Sequence, residues 1–89
     1  MAMCEPIIAT ITPANPTSKA KNSNTTFTCN VPCEWSTNST TAGTGVIQKS
    51  TVEGQLHIAS DEALATIIVT ATPVDTTISP VTVNVPVTQ

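Results

Sequence analysis

Three cysteines, Cys4, Cys29 and Cys33, are the residues of this chain with the widest chemical repertoire. A thiolate can act as a nucleophile, as one half of a disulfide or as a zinc ligand. Three interpretations are open: buried thiols that act as small hydrophobic groups, a Cys29–Cys33 disulfide, and a zinc site. The count is odd, so at least one thiol stays free or pairs between molecules, and we predict that folding needs no disulfide. No metal site is predicted, because zinc needs a fourth ligand.

His57 and the acidic pair Asp61-Glu62 are the remaining candidates for a reactive or ligand-binding site. A catalytic histidine needs a nucleophile and an orienting carboxylate, and no spacing in the chain supports such a triad. Calcium needs six to eight oxygen ligands, and only Asp75 is expected near the pair, so turn capping is the favoured interpretation. The sequence therefore predicts a protein that is not an enzyme, with no catalytic residue and no cofactor.

The elements that position these residues are predicted to be β-strands. Eighteen of the 89 residues are threonine, whose β-branched side chain favours a pleated strand over a helix. Seven prolines are spread along the chain, and a proline inside a helix costs about 3 kcal/mol. About seven short strands recur at roughly ten-residue spacing, a pattern typical of one all-β sandwich built from two antiparallel sheets.

Alternation within these strands predicts which side chains form the core. Phe27, Trp35, Ile67 and Val69 lie on inward faces and are the predicted core anchors. Cys29 and Cys33 share inward positions, and Cys4 precedes the first strand, so the three thiols are expected at one end of the sandwich. The other predicted core residues are Leu56, Ile58, Val83 and Val85.

The ends of the chain also carry predictions. A first strand is expected at residues 6–12, and a loop is expected at residues 13–24. The closing strand, residues 81–87, is expected at a sheet edge, where Pro86 would block further pairing because it has no N–H to donate.

Charge and hydropathy exclude two classes of partner. The net charge is −3 and the three lysines form no cluster, so nucleic-acid binding is not expected. No apolar run approaches the roughly 20 residues of a membrane span. The opening residues have no basic region and no long apolar stretch, which predicts no secretion signal and synthesis in a host cytoplasm.

Three motifs occur in a fixed order: Trp35-Ser36, then residues 54–62 (GQLHIASDE), then residues 67–72 (IIVTAT). In this order they resemble the bacterial immunoglobulin-like domains of group 2, especially the versions found in tailed-phage virion proteins. The resemblance covers residues 7–87. It implies a single immunoglobulin-like, two-sheet antiparallel sandwich over residues 1–89, with no active site.

The same resemblance implies a function. We predict a non-enzymatic structural protein of the phage virion, either a capsid decoration protein or a tail or fibre accessory that docks on a larger assembly. The expected partners are other virion proteins or further copies of the chain, with no nucleic acid and no membrane. The alternative is an adhesin-type or carbohydrate-contacting module of a larger cell-surface protein, which a neighbouring secretion signal and tandem repeats would favour.

Docking is predicted to use residues 1–12 and the loop at residues 73–80. A cluster of exposed apolar side chains marks an interface, whereas scattered ones are normal. The Thr-rich face opposite is expected to stay solvated. The predicted interface residues are Met3, Glu5, Ile8, Ile68, Val74 and Ile78.

Overall fold

The computed structural model describes residues 8–88, and its regular structure consists of eight β-strands. No helix within these residues is long and apolar enough to cross a membrane. The strands are β1 (Ile11–Thr12), β2 (Lys19–Ala20), β3 (Ser23–Cys29), β4 (Cys33–Thr37), β5 (Gly45–Gln48), β6 (Glu53–Ile58), β7 (Thr66–Pro73) and β8 (Val81–Thr88).

The strands form two sheets of four, an arrangement compatible with a β-sandwich. Sheet 1 has the order β1-β3-β6-β5, and sheet 2 has the order β2-β8-β7-β4. Every pair is antiparallel except β2–β8, which is parallel. The all-β prediction is confirmed. The prediction of purely antiparallel sheets is wrong for sheet 2, which is mixed.

The additional strand, β2, lies inside residues 13–24, which the sequence predicted to be a loop. Pro13 and Pro16 separate β1 from β2, and neither can donate a ladder hydrogen bond, so the chain leaves sheet 1 here and joins sheet 2. There β2 pairs in parallel with the last two residues of β8. β8 therefore lies between β2 and β7, and it is not the edge strand that Pro86 suggested.

The core lies between the two sheets and is filled by inward-facing residues of both. Phe27, Ile67 and Val69 are fully buried, and Trp35 is partly buried against the same cluster. Side chains on the intervening positions face solvent, as expected for a strand buried on one face. Further buried residues of the core are Ala9, Ile11, Leu56, Ile58, Ala71, Val83, Val85 and Val87.

Trp35 packs where the two sheets approach each other along β4 and β5. Its ring lies 6.4 Å from that of Phe27, centroid to centroid, at a tilt of 36°. On sheet 1 the indole rests on Gly54, where a Cβ atom would lie 2.8 Å from Trp35 Cγ and 2.6 Å from Val46 Cγ1. A side chain larger than hydrogen at position 54 would force the indole or Val46 to shift, because these distances are shorter than real Cβ contacts.

We expect Gly54→Ala to lower the free energy of unfolding by about 1–3 kcal/mol, the usual cost of overpacking. Gly45→Ala is the matched control, because a Cβ there meets nothing within 4 Å. Urea unfolding of both variants measures the difference. Equal, small losses in the two variants would show that Trp35 does not rest on Gly54.

Candidate functional site

Three loops and the start of the described chain meet at one end of the sheets, called here the Pro32 end. Asn30 joins two of these segments, because its Nδ2 donates to the Ile8 carbonyl at 2.9 Å and its Oδ1 accepts from the Thr10 N–H at 2.7 Å. A third segment is attached by the Val74 N–H, which donates to the Pro32 carbonyl at 3.1 Å. The Pro32 end comprises residues 8–10, 30–32, 49–52 and 74–80.

Asp75 sets the shape of loop 74–80. Its Oδ1 accepts hydrogen bonds from the Thr77 hydroxyl at 2.7 Å and the Thr77 N–H at 3.0 Å, and these bonds lower the pKa of the Asp75 carboxyl. The Ile78 N–H then donates to the Asp75 carbonyl at 3.0 Å. This turn directs Ile78 inward, where it is only 8% exposed, and leaves Val74 outside at 65%.

Val74 and Pro32 form a ridge between two concave surfaces. The larger, about 760 Å³, opens between β4 and β5 and includes Trp35 and Gln48 in its lining. The smaller, about 390 Å³, lies on the other side of the ridge, and Ile78 contributes to its floor. Both concavities are lined by Pro32 and Val74. A partner surface could therefore bury the ridge and fill the two hollows beside it.

Gln48 closes part of the gap between the sheets beside this ridge. Its Nε2 donates to the Cys33 carbonyl at 2.9 Å and to the Ser50 carbonyl at 2.6 Å. Cys33 belongs to β4, the outer strand of sheet 2, so this amide occupies a carbonyl on a sheet edge. This carbonyl is therefore less available for pairing with a strand of another chain.

The predicted interface residues do not form one cluster. Ile8, at 71% exposure, and Val74 lie at the Pro32 end, but Ile68 projects from the outer face of β7 near Asn38, towards the opposite end. The expectation that Ile78 is exposed is wrong, because the turn at Asp75 directs its side chain inward. Sequence reasoning missed Ile47, which is 55% exposed on β5. Met3 and Glu5 lie outside the described residues.

Cys29 and Cys33 lie buried beneath the Pro32 end, and neither forms a disulfide. Burial, reinforced by a hydrogen bond and a charge interaction with the Cys29 thiol, raises the pKa of Cys33 to about 12. Cys33 is therefore a thiol at neutral pH and a poor nucleophile or metal ligand. The Cys29 thiol contacts Asn30 Oδ1 at 3.7 Å. Cys4 lies outside the described residues, so the predicted three-thiol cluster stays a prediction.

At the opposite end, Glu62 is the one buried charged residue in the described chain, with 1% of its surface exposed. Its carboxylate joins the loop that follows β4 to the turn that precedes β7. The Ser39 hydroxyl donates to Oε1, and the Thr41 hydroxyl and Leu64 N–H donate to Oε2 at 3.0 and 3.1 Å. Glu62 therefore caps its own turn through the Leu64 N–H, as predicted, and it also holds the loop after β4 through Ser39 and Thr41. Sequence spacing alone did not indicate that Glu62 would be buried.

The other candidate ligands and catalysts are dispersed. His57 faces outward, and its Nδ1 lies 2.7 Å from Asn24 Oδ1, an amide rather than a nucleophile or carboxylate. Asp75 and the Asp61-Glu62 pair lie at opposite ends of β7, so the expectation that Asp75 is near them is wrong. Among residues 8–88 no three His, Cys, Asp or Glu side chains are grouped as a metal site would require.

The Pro32 end, with its exposed Val74, Pro32 and Ile8, is thus the candidate functional site, and these three side chains offer shape and hydrophobic contact rather than reactive groups. No protein-family model, curated protein or solved structure matches this chain.

Proposed function

We propose that this chain is a non-enzymatic structural protein that docks on a larger assembly through its Pro32 end. The observation that carries the proposal is the exposed Val74–Pro32 ridge flanked by two concave surfaces. Burial of apolar surface is worth about 25 cal/mol per Å², and contact energy concentrates where an apolar anchor is fully enclosed. Val74 is the natural anchor, and Ile8 extends the apolar surface at the same end.

We further propose that the sandwich is immunoglobulin-like. In such a fold, strands A, B, E and D form one sheet and strands C, F and G form the other. Lettering β1 and then β3 to β8 as A to G gives A-B-E-D in sheet 1 and G-F-C in sheet 2, with β2 as a short extra strand beside G. This strand order supports the proposal independently of the three motifs that resemble the family.

The particle we propose is a phage virion, in which the protein serves as a capsid decoration or as a tail or fibre accessory. The support is the order of the motifs around Trp35, residues 54–62 and residues 67–72, which resembles domains of virion proteins. The partners would be other virion proteins, and the protein would be made in the host cytoplasm. The His57 ring is hydrogen-bonded to the Asn24 amide rather than to a nucleophile or a carboxylate, which favours a structural role over a catalytic one.

Val74→Asp tests the docking surface. An aspartate in the enclosed centre of the contact would be desolvated without a partner, so we expect occupancy on the particle to fall at least tenfold. Ile47→Asp is the control, because Ile47 is similarly exposed but lies on β5. Density-gradient sedimentation of lysates from producing cells, with quantitative mass spectrometry of the particle fraction, measures occupancy. Circular dichroism of both variants verifies that they fold.

Deletion of residues 1–5 extends the test to the predicted N-terminal contact. We expect a folded protein that no longer sediments with the particle, because these residues lead into Ile8 at the docking end. Wild-type occupancy by the truncated protein would refute an N-terminal contact. Wild-type occupancy by Val74→Asp would refute the ridge. Absence of the unaltered protein from every particle fraction would refute the virion proposal itself.

A further inference from the structure

Cys29 and Cys33 are held in an arrangement that the docking function does not use. Their N–H groups donate to consecutive carbonyls, those of Val52 and Thr51, at 2.7 and 2.9 Å. Cys29 ends β3 in sheet 1 and Cys33 begins β4 in sheet 2, and both side chains belong to the core between the sheets. Both side chains are buried in the same core cluster, and the neighbouring Cys29 thiol contributes to the raised pKa of Cys33.

We propose that Cys29 and Cys33 are a disulfide-forming pair that closes under oxidising conditions and joins the two sheets beneath the Pro32 end. A disulfide requires Cα atoms within about 7 Å and side chains that point at each other. The hydrogen bonds to the adjacent carbonyls of Thr51 and Val52 bring the two backbones together and hold them in place. Closure therefore needs a small adjustment of side chains rather than a movement of strands.

The oxidant is a small-molecule disulfide such as oxidised glutathione. A local opening of the loop at residues 30–32 admits oxidised glutathione to the buried Cys29. The Cys29 thiolate attacks one glutathione sulfur, the glutathione disulfide breaks, and one glutathione thiolate leaves. Cys33 then loses its proton to solvent and attacks the Cys29 sulfur of the mixed disulfide, and the second glutathione thiolate leaves. Two protein thiols are oxidised to one disulfide, and one oxidised glutathione is reduced to two thiols.

The proposal does not depend on the docking function, and its consequence is local. The disulfide closes a short loop, residues 29–33, and short loops gain less stability from a disulfide than long ones. Oxidation therefore adds stability, but the reduced protein folds without it. A protein that leaves a reducing cytoplasm for an oxidising exterior would change from the dithiol to the disulfide form.

Cys4→Ser is the protein to test, since it leaves only the pair, and Cys4→Ser/Cys33→Ser is its control. Each protein is equilibrated in the same glutathione redox buffer under two conditions, folded and unfolded in about 8 M urea. The samples are then quenched with acid and alkylated, and their masses are measured by mass spectrometry. We expect the ratio of disulfide to dithiol in Cys4→Ser to be at least tenfold higher when folded. The disulfide form is about 2 Da lighter and takes no alkyl group. The control should carry glutathione on Cys29 instead.

Three outcomes would overturn the proposal. The ratio of disulfide to dithiol could be equal or lower in the folded protein than in the urea-unfolded protein. Glutathione adducts could accumulate on Cys4→Ser in place of the disulfide. Both thiols could also remain alkylatable after the refolded protein has equilibrated. Peptide mapping of the oxidised wild type gives a second measurement, in which a Cys29–Cys33 link is expected and a link to Cys4 contradicts the pairing.

Discussion

Replacing Glu62 by glutamine is expected to lower the free energy of unfolding by roughly 2–3 kcal/mol at pH 7. Burial by itself would raise the pKa of this carboxyl, but hydrogen bonds to its charged form outweigh burial and lower the pKa from 4.5 to about 2. Glutamine keeps the shape, loses the charge and places an amide donor against existing donors. The donors to the Glu62 carboxylate are the Ser39 hydroxyl, the Thr41 hydroxyl and the Leu64 N–H.

The pH dependence has a definite sign. Because the folded pKa of Glu62 lies below its ordinary value, the unfolded chain binds the proton first as pH falls. The contribution of Glu62 to stability is therefore complete above about pH 4.5 and is lost as pH falls towards 2. In Glu62→Gln this loss is absent, so the wild-type and variant stabilities should converge across that interval.

Urea midpoints of the wild type and Glu62→Gln between pH 2 and pH 7 measure this convergence. Asp75→Asn is the matched control, because the pKa of Asp75 is also lowered but its carboxyl is exposed. The control should lose little stability at pH 7. Parallel curves for wild type and Glu62→Gln down to pH 2 would mean that Glu62 does not hold the loop after β4.

Trp35→Ala is expected to cost about 3 kcal/mol, the lower end for deletion of a large aromatic side chain. The indole is partly exposed, which reduces the cost, but it covers Gly54 and contacts the Phe27 ring. Its removal would leave a cavity between the sheets where β4 and β5 approach. A domain of this size has about 5–10 kcal/mol of stability, so the variant would keep only about 2–7 kcal/mol.

Urea unfolding of Trp35→Ala and of Ile47→Ala measures this effect. Ile47 is a large apolar residue on the neighbouring β5, but it is 55% exposed, so its truncation should cost less than about 1 kcal/mol. A loss below about 1 kcal/mol for Trp35→Ala as well would show that the indole is not part of the core.

Much of the strand content and the inward faces was determined by the sequence alone. Inward positions such as Phe27, Ile67 and Val69 follow from period-two alternation, which is a local property of the chain. The same alternation places Cys29 and Cys33 on inward faces, and the three-residue connection between them places them at one end.

Only the tertiary structure decided the features that depend on distant segments. Glu62 is buried because hydroxyls more than 20 residues away supply hydrogen bonds to its carboxylate. Ile78 is buried because the Asp75 turn reverses the chain, and a loop residue has no alternation from which its direction could be predicted. The pairing of β2 with β8 arises where two prolines release the chain from sheet 1, and its register depends on a partner about 68 residues later. The Val74–Pro32 ridge likewise exists only because the loop after β7 lies against the loop after β3.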